Sequence, residues 1–107
     1  PQNAFYILNG IETLNLRMKK HTDNALKVAT YLQEHPKISN VSYAGLKNNK
    51  YYELGKKYFP NGPGSIFTIR LKGGFKSCIS MVERVKLFSH VANVGDTRSL
   101  IIHPART

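Results

Sequence analysis

Apolar residues in the first third of the chain recur at steps of three and four positions, which is the spacing of one helix face. This stripe predicts a long helix that starts after Thr13, a good N-cap residue. The helix should end at His35-Pro36, because the residue before a proline avoids the α region. Asn9-Gly10 interrupts an earlier apolar turn, so we expect two helices or one kinked helix. The stripe, which we expect to pack in the core, consists of Ile11, Leu14, Met18, Thr22, Ala25, Ala29 and Leu32.

After this helical third, short strand and helix signals follow one another. Residues 65–72 alternate between two faces, with Phe67, Ile69 and Leu71 on one of them, and this is the strongest strand signal in the chain. Residues 41–43 are a second strand candidate. Helices are predicted for residues 49–59 and from about residue 76 to 88, next to glycine- and proline-rich turns.

The last part of the chain predicts a third strand. An apolar segment reaches Val91, a turn follows over residues 93–96, and residues 98–102 then have strand character. The order of elements is therefore helix, strand, helix, strand, helix, strand. It favours an α+β fold, with a short mixed or antiparallel sheet covered by helices on one side.

Length and charge limit the classes of function. A chain of 107 residues allows one domain, and no run approaches the ~18 apolar residues of a membrane span. The single cysteine, Cys78, fits a reducing cytoplasm. A net charge of +10 suggests a polyanionic partner, and Lys50, Lys56 and Lys57 lie among tyrosines. Those tyrosines recur at helical spacing and the other cations are dispersed, so we expect no specific nucleic-acid binding.

No catalytic constellation is evident in the sequence. Cys78 has apolar helix neighbours, which favours an inert buried thiol over a nucleophile. The histidines lack metal-ligand spacing, and there is no phosphate-binding Gly-Lys-Ser/Thr loop or dinucleotide fingerprint. Because the chain opens on Pro1 and stops just after Arg106, we expect it to be a piece of a larger protein.

One stretch, residues 89–105, is harder to explain as plain scaffold. It places a polar, glycine-containing turn with an amide side chain, Asn93, between two apolar segments. Such a turn, with free backbone N–H groups, can hold a small carboxylate. The alternative is an ordinary connection between strands, which elementary physics favours at this point.

The same stretch carries a resemblance to a known family. Residues 86–96 read Lys-Leu-Phe-Ser-His-Val-Ala-Asn-Val-Gly-Asp, a run similar to one in the Cys/Met-metabolism (trans-sulfuration) enzymes that depend on pyridoxal phosphate (PLP). The O-acetylhomoserine sulfhydrylase branch is the most similar. The upstream segments 3–5, 10–14, 16–18, 24–29 and 34–36 also resemble this family in order, so the resemblance extends over essentially the whole chain.

The resemblance implies an architecture. Residues 1–36 would be a long kinked linking helix from an absent PLP domain, and residues 37–107 a C-terminal small domain, truncated at its end, of a fold-type I PLP enzyme. The family's Schiff-base lysine and phosphate site would lie before this chain, and its carboxylate-binding arginine after it. The chain would then contain no catalytic, cofactor-binding or metal residue and would be inactive by itself.

The resemblance also implies a small set of site residues. Asn93 matches a position that helps to hold the substrate carboxylate, with the Val94 backbone near the ligand. Arg98, Ser99 and His103 would support this wall of the pocket. Arg106 departs from the family, in which a small residue, usually serine, follows His-Pro-Ala.

The function implied for the parent protein is a γ-replacement that uses PLP. O-acetyl-L-homoserine and sulfide or a thiol would give homocysteine or methionine, in a cytoplasmic homo-oligomer, usually a tetramer, with no membrane or specific nucleic-acid partner. Two alternatives stay open. One is another trans-sulfuration enzyme, such as a cystathionine γ-synthase or a methionine γ-lyase. The other is a basic binding module without enzymatic activity.

Overall fold

Four helices and a two-stranded sheet make up the computed structural model, which describes residues 1–106. The helices are α1 (Gln2–Glu12), α2 (Leu14–Gln33), α3 (Tyr52–Tyr58) and α4 (Gly74–Arg84). The strands β1 (Ile38–Ser42) and β2 (Thr68–Leu71) pair antiparallel. The chain is therefore a small α+β unit, as the pattern of elements predicted.

The break between the first two helices lies at Thr13. We predicted two helices or one kinked helix, which is confirmed, but α1 runs through Asn9-Gly10 without interruption. Thr13 occupies the N-cap position of α2, yet its side chain makes no capping hydrogen bond. Its hydroxyl instead accepts a hydrogen bond from Arg17, whose guanidinium also donates to the Gly10 carbonyl oxygen over 3.0 Å. Arg17 thus bridges the two helices across the break.

The core forms where the second half of α2 packs against the sheet. β2 presents alternate residues to this core, as its period of two predicted, and the register pairs Val41 with Ile69. The register shifts between Ile38 and Asn40, which is a β-bulge or irregularity. The buried core residues are Ala25, Ala29, Ile38, Val41, Tyr43 and Leu46, with Leu32, Phe67, Ile69 and Leu71 packed against them.

The first part of the predicted apolar stripe is not buried. Ile11 and Leu14 are 55% and 41% exposed, so our prediction that they pack in the core is wrong within this chain. No residue of α1 is buried. The reason is geometric: among residues 1–106 the sheet has two short strands and meets the second half of α2, so no part of residues 1–106 covers the stripe further upstream.

The predicted strand over residues 98–102 is also wrong. This part of the chain makes a single parallel bridge, between Ser89 and Leu100, and no ladder follows it. A strand requires a partner that continues the pairing, and residues 90–98 turn away from Leu100 after one contact. The preceding helix ends at Arg84 rather than near residue 88. On α4, Val82 is buried, as predicted, whereas Cys78 is only half-buried.

Candidate substrate-binding loop

A loop of nine residues is closed at its base by Ser89. The Ser89 N–H donates to the Ser99 carbonyl over 2.9 Å, and the Ser89 carbonyl accepts from the Ile101 N–H over 3.0 Å. These two bonds bring both ends of residues 90–98 together. We call residues 90–98 the Asn93 loop.

Asp96 organises the polar side chains of the Asn93 loop. Its Oδ1 accepts hydrogen bonds from the Arg98 backbone N–H (2.8 Å) and from Arg98 Nε (3.1 Å). Its Oδ2 accepts from Arg98 Nη2 (3.0 Å) and from Asn93 Nδ2 (3.1 Å). All four bonds come from N–H groups, which fills the acceptor capacity of a carboxylate. Asp96 therefore connects Asn93 to Arg98.

These contacts keep Asp96 ionised. Hydrogen bonds from the Arg98 side chain, then from the Arg98 backbone and the Asn93 amide, hold the pKa of Asp96 far below its usual range. The same pair raises the pKa of Arg98 above its ordinary value. Only 10% of the Asp96 side chain is exposed, whereas the Arg98 side chain is 64% exposed. The ion pair thus has its anion covered and its cation turned towards solvent.

The tip of the Asn93 loop is a tight turn with an exposed apolar residue. Asn93 Oδ1 accepts a hydrogen bond from the Val94 N–H over 2.8 Å, and the Val94 residue is 79% exposed. Gly95 has a φ of +74°, a left-handed conformation that residues with a side chain rarely adopt. The expectation of free backbone N–H groups in this turn is wrong at Val94 and at Arg98, because side chains of the loop accept from both.

The remaining predicted site residues lie at or beyond the base of the loop. The Ser99 carbonyl forms part of the closure by Ser89. The His103 ring meets Phe75, in the first turn of α4, edge to face with 5.0 Å between ring centroids. Arg106 pairs with Glu83 in the last turn of α4 over 2.6 Å. His103 and Arg106 thus contact α4 near its first and its last turn, respectively.

The structure brings Asn93 and Arg98 together through Asp96, whereas Ser99 and His103 have other partners. Sequence reasoning missed Asp96, which we had treated only as part of a turn. A signal was present, because Asp and Asn side chains at such spacings commonly bond to nearby N–H groups in turns. Nothing in the spacing, however, shows which side chains share one carboxylate.

A cavity lies elsewhere in the molecule. It has a volume of about 370 Å³ and is mainly apolar, with residues of α2, α3 and the loop 59–63 in its wall. Its one lysine, Lys56, pairs with Glu53 over 3.0 Å, and this hydrogen bond raises the pKa of Lys56. A protonated, ion-paired amine is a poor candidate for a Schiff base. No residue of the Asn93 loop lines this cavity.

Neither an enclosed lysine nor a group of metal ligands occurs among residues 1–106. Every lysine of the chain is exposed in this structure. Among residues 1–106, no group of three or more His, Cys, Asp or Glu side chains could hold a metal ion. Across the same range, no helix is both long and apolar enough to span a bilayer. The Asn93 loop remains the candidate functional site.

Comparison with known proteins gives a consistent result across the chain. The family described as "Cys/Met metabolism PLP-dependent enzyme" matches residues 1–107. The chain is 50% identical to O-acetyl-L-homoserine sulfhydrylase of Leptospira meyeri, over 100% of this chain and 24% of the relative. It is 45% identical to O-acetyl-L-homoserine sulfhydrylase 1 of Thermus thermophilus, over 100% and 25%. It is 41% identical to L-methionine gamma-lyase of Fusobacterium nucleatum subsp. polymorphum, over 98% and 26%.

A solved structure agrees with the sequence matches. The chain superimposes with a TM-score of 0.90 and 42% identity on a crystal structure described as an O-acetylhomoserine (thiol)-lyase from Campylobacter jejuni. The match covers 98% of this chain and 26% of that one, which contains a pyridoxyl-lysine 5′-monophosphate. The chain thus spans about a quarter of the length of the relatives it matches.

Proposed function

Because the chain belongs to the Cys/Met-metabolism family of PLP-dependent enzymes, we propose that it is the C-terminal part of an O-acetyl-L-homoserine sulfhydrylase. The observation that carries this proposal is the identity of 45–50% with two such enzymes over 100% of the chain, which includes the Asn93 loop. The whole protein would replace the acetoxy group of O-acetyl-L-homoserine with sulfide or a thiol, giving homocysteine or methionine.

The exposed apolar surface of α1 supports a two-part organisation. Phe5, Leu8 and Ile11 follow one another at steps of three positions, which places them on one face of α1, and each is more than half exposed. Contiguous apolar surface of this kind is usually covered by another protein surface. We propose that residues 1–36 link the small domain, residues 37–107, to a fold-type I PLP domain that covers α1. Thr107 lies outside the described residues.

The Asn93 loop would form one wall of the substrate pocket. An asparagine amide has two N–H groups, and one of them donates to Asp96. The other N–H is the candidate donor to the carboxylate of O-acetyl-L-homoserine. Since the Val94 N–H is engaged by Asn93, Val94 would contact the ligand through its exposed side chain. Arg98 would support this wall by pairing with Asp96, and Ser99 and His103 by fixing the segment behind it.

The chemistry of the cofactor does not reside in this part of the protein. The PLP lysine and phosphate site would belong to the remainder of the polypeptide, so we assign no chemical step to residues 1–106. Their proposed work is to bind and orient the amino-acid end of the substrate.

Acetate release tests the proposal directly. The full-length protein, supplied with O-acetyl-L-homoserine and sulfide, should release acetate and form homocysteine in equal amounts. Substitution of methanethiol for sulfide, with methionine as the measured product, would define the preferred thiol. Turnover of cystathionine with no turnover of the acetyl ester would assign the protein to a different trans-sulfuration branch.

A second candidate is methionine γ-elimination, which the 41% identity to a methionine gamma-lyase supports. Incubation of the full-length protein with L-methionine alone distinguishes the two activities. A lyase would release methanethiol, ammonia and 2-oxobutyrate, whereas the proposed sulfhydrylase would leave methionine largely unchanged. A cystathionine γ-synthase would use cysteine as the thiol, and a simple basic binding module would do neither reaction. That the whole protein is a cytoplasmic tetramer stays a prediction. Localisation in cells would test the compartment, and light scattering would test the number of subunits.

A further inference from the structure

We propose that Asp96 is a positioning residue for substrate binding, because it fixes the Asn93 amide in the orientation that presents an N–H group to the substrate carboxylate. The inference rests on the proposed function and extends it to a residue that does not itself contact the substrate. Asp96 would act only through Asn93. Arg98 would in turn hold Asp96.

The hydrogen bonds of Asn93 define the orientation of its amide. Oδ1 accepts from the Val94 N–H at 2.8 Å, and Nδ2 donates to Asp96 at 3.1 Å. A 180° rotation of the amide would place Oδ1 against the Asp96 carboxylate and the NH₂ group against the Val94 N–H. Both new contacts would be repulsive, acceptor against acceptor and donor against donor. The carboxylate thus allows one orientation of the Asn93 amide.

Arg98 removes the electrostatic obstacle that Asp96 would otherwise create. A bare carboxylate next to Asn93 would repel an incoming substrate carboxylate. Two side-chain bonds, from Nε and Nη2, neutralise Asp96 in a bidentate pair, which is a strong and directional form of ion pair. The pair carries no net charge, and its exposed part is cationic. An anionic ligand can therefore approach Asn93 while Asp96 still holds the amide.

This arrangement predicts a separation of KM from kcat. In Asp96→Asn, an amide NH₂ replaces one carboxylate oxygen, so Arg98 meets a donor whichever oxygen is lost, and Asn93 meets one as well when Oδ2 is lost. In the full-length protein, the KM for O-acetyl-L-homoserine should rise about tenfold, with kcat changing less than about threefold, because a binding contact is weakened. The Kd of the unreactive ligand L-2-aminobutyrate, measured by calorimetry, should rise by a similar factor.

A double-mutant cycle separates positioning from general structural damage. If Asp96 acts through Asn93, then Asp96→Asn should add less than about twofold to the effect of Asn93→Ala. Asp23→Asn is the matched control, because Asp23 is exposed on α2, away from the loop, and this variant should bind as the wild type does. Arg98→Lys keeps the positive charge but loses the planar guanidinium, so it should raise the Kd of L-2-aminobutyrate by about threefold. This variant replaces Asp96→Asn in the test if Asp96→Asn fails to fold.

The outcomes are distinguishable. An Asp96→Asn protein whose Kd for L-2-aminobutyrate lies within twofold of the wild-type value would overturn the inference. A double variant whose increase in Kd equals the product of the increases in Asn93→Ala and Asp96→Asn would also overturn it. If Asp96→Asn fails to fold, an unchanged Kd in Arg98→Lys would overturn it. Absence of turnover of O-acetyl-L-homoserine by the wild type would instead overturn the proposed function, and the binding measurements would still report on Asp96.

Discussion

The Tyr43 hydroxyl donates a 2.7 Å hydrogen bond to the carbonyl oxygen of Gly64, from a side chain that is only 2% exposed. Its ring contacts Phe67, with 5.7 Å between centroids. Burial raises the pKa of Tyr43, so the phenol stays protonated and able to donate. This one bond fastens the loop before β2 to the core next to β1.

We therefore expect Tyr43→Phe to lower the free energy of unfolding of the full-length protein by about 1–2 kcal/mol, since a partly buried carbonyl loses its donor. Denaturant unfolding followed by circular dichroism measures the change. Tyr58→Phe is the matched control, because Tyr58 is exposed, and its effect should lie within about 0.5 kcal/mol. Equal effects of the two substitutions would contradict the anchoring role of Tyr43.

A second prediction concerns two isoleucines on either side of the core boundary. Ile38 is buried on β1, whereas Ile66, just before β2, is largely exposed. Ile38→Ala should destabilise the protein by about 2–5 kcal/mol, because a buried side chain is replaced by a cavity. Ile66→Ala should cost much less. A large loss at Ile66 in the full-length protein would show that another part of the protein covers this residue.

The ionisation of Asp96 gives a prediction about pH. Its folded-state pKa is depressed, so its stabilising contribution is complete above the ordinary aspartate pKa of about 3.9 and falls only as pH drops towards the folded value. A carbon-13 NMR titration should therefore find the Asp96 carboxyl group still mostly ionised at a pH of about 3.9, where an ordinary aspartate is half protonated. Arg98→Gln should move the Asp96 pKa up towards its ordinary value, and an unchanged titration would contradict the assigned cause.

The Arg106–Glu83 pair should contribute little to stability. Both side chains are more than half exposed, and exposed ion pairs are typically worth about 0–1 kcal/mol. We expect Arg106→Ser to change the free energy of unfolding by less than about 1 kcal/mol, with the difference shrinking at high salt. Thermal unfolding at 0.05 M and 1 M sodium chloride would measure both effects. A loss that persists at 1 M salt would mean that Arg106 has contacts beyond Glu83.

The 107-residue polypeptide alone should not form a specific PLP adduct. All of its lysines are exposed, and Lys56, in the wall of the cavity next to α3, is paired with Glu53. After incubation with PLP and reduction with borohydride, mass spectrometry should find weak labelling spread over several lysines. Stoichiometric labelling of one lysine would contradict our interpretation of the chain as a substrate-binding part.

Local signals predicted the parts of the fold that local physics determines. The alternation around Phe67 and Ile69 predicted β2, and Pro36 predicted the end of α2, because both depend on nearby residues alone. Exposure of Ile11 depends instead on what the rest of the chain places next to α1, which periodicity does not encode. The false strand at 98–102 has the same origin, since pairing needs a partner strand.

The candidate site was likewise predictable from the sequence only in part. The resemblance directed attention to Asn93 and Arg98, and an amide in a glycine-containing turn is visible in the sequence. That both side chains bond to Asp96 depends on the rotamers of all three residues and on the positive φ of Gly95. Such a network is a property of three-dimensional packing. The sequence therefore indicates that Asp96 can bond within the turn, and the structure shows that Asn93 and Arg98 are its partners.

The closure of the Asn93 loop by Ser89 has a consequence for its motions. Both bonds at the base use the backbone of this single residue, one through its N–H and one through its carbonyl. The N–H and the carbonyl of Ser89 lie in the two peptide units on either side of its Cα, so displacement of this residue would release both ends of the loop together, and the loop is a cooperative unit of local opening. In hydrogen exchange, the amide protons of Ser89 and Ile101 should show matched protection factors, smaller than those of the β1–β2 ladder. Substrate that holds the loop closed should slow both by the same factor.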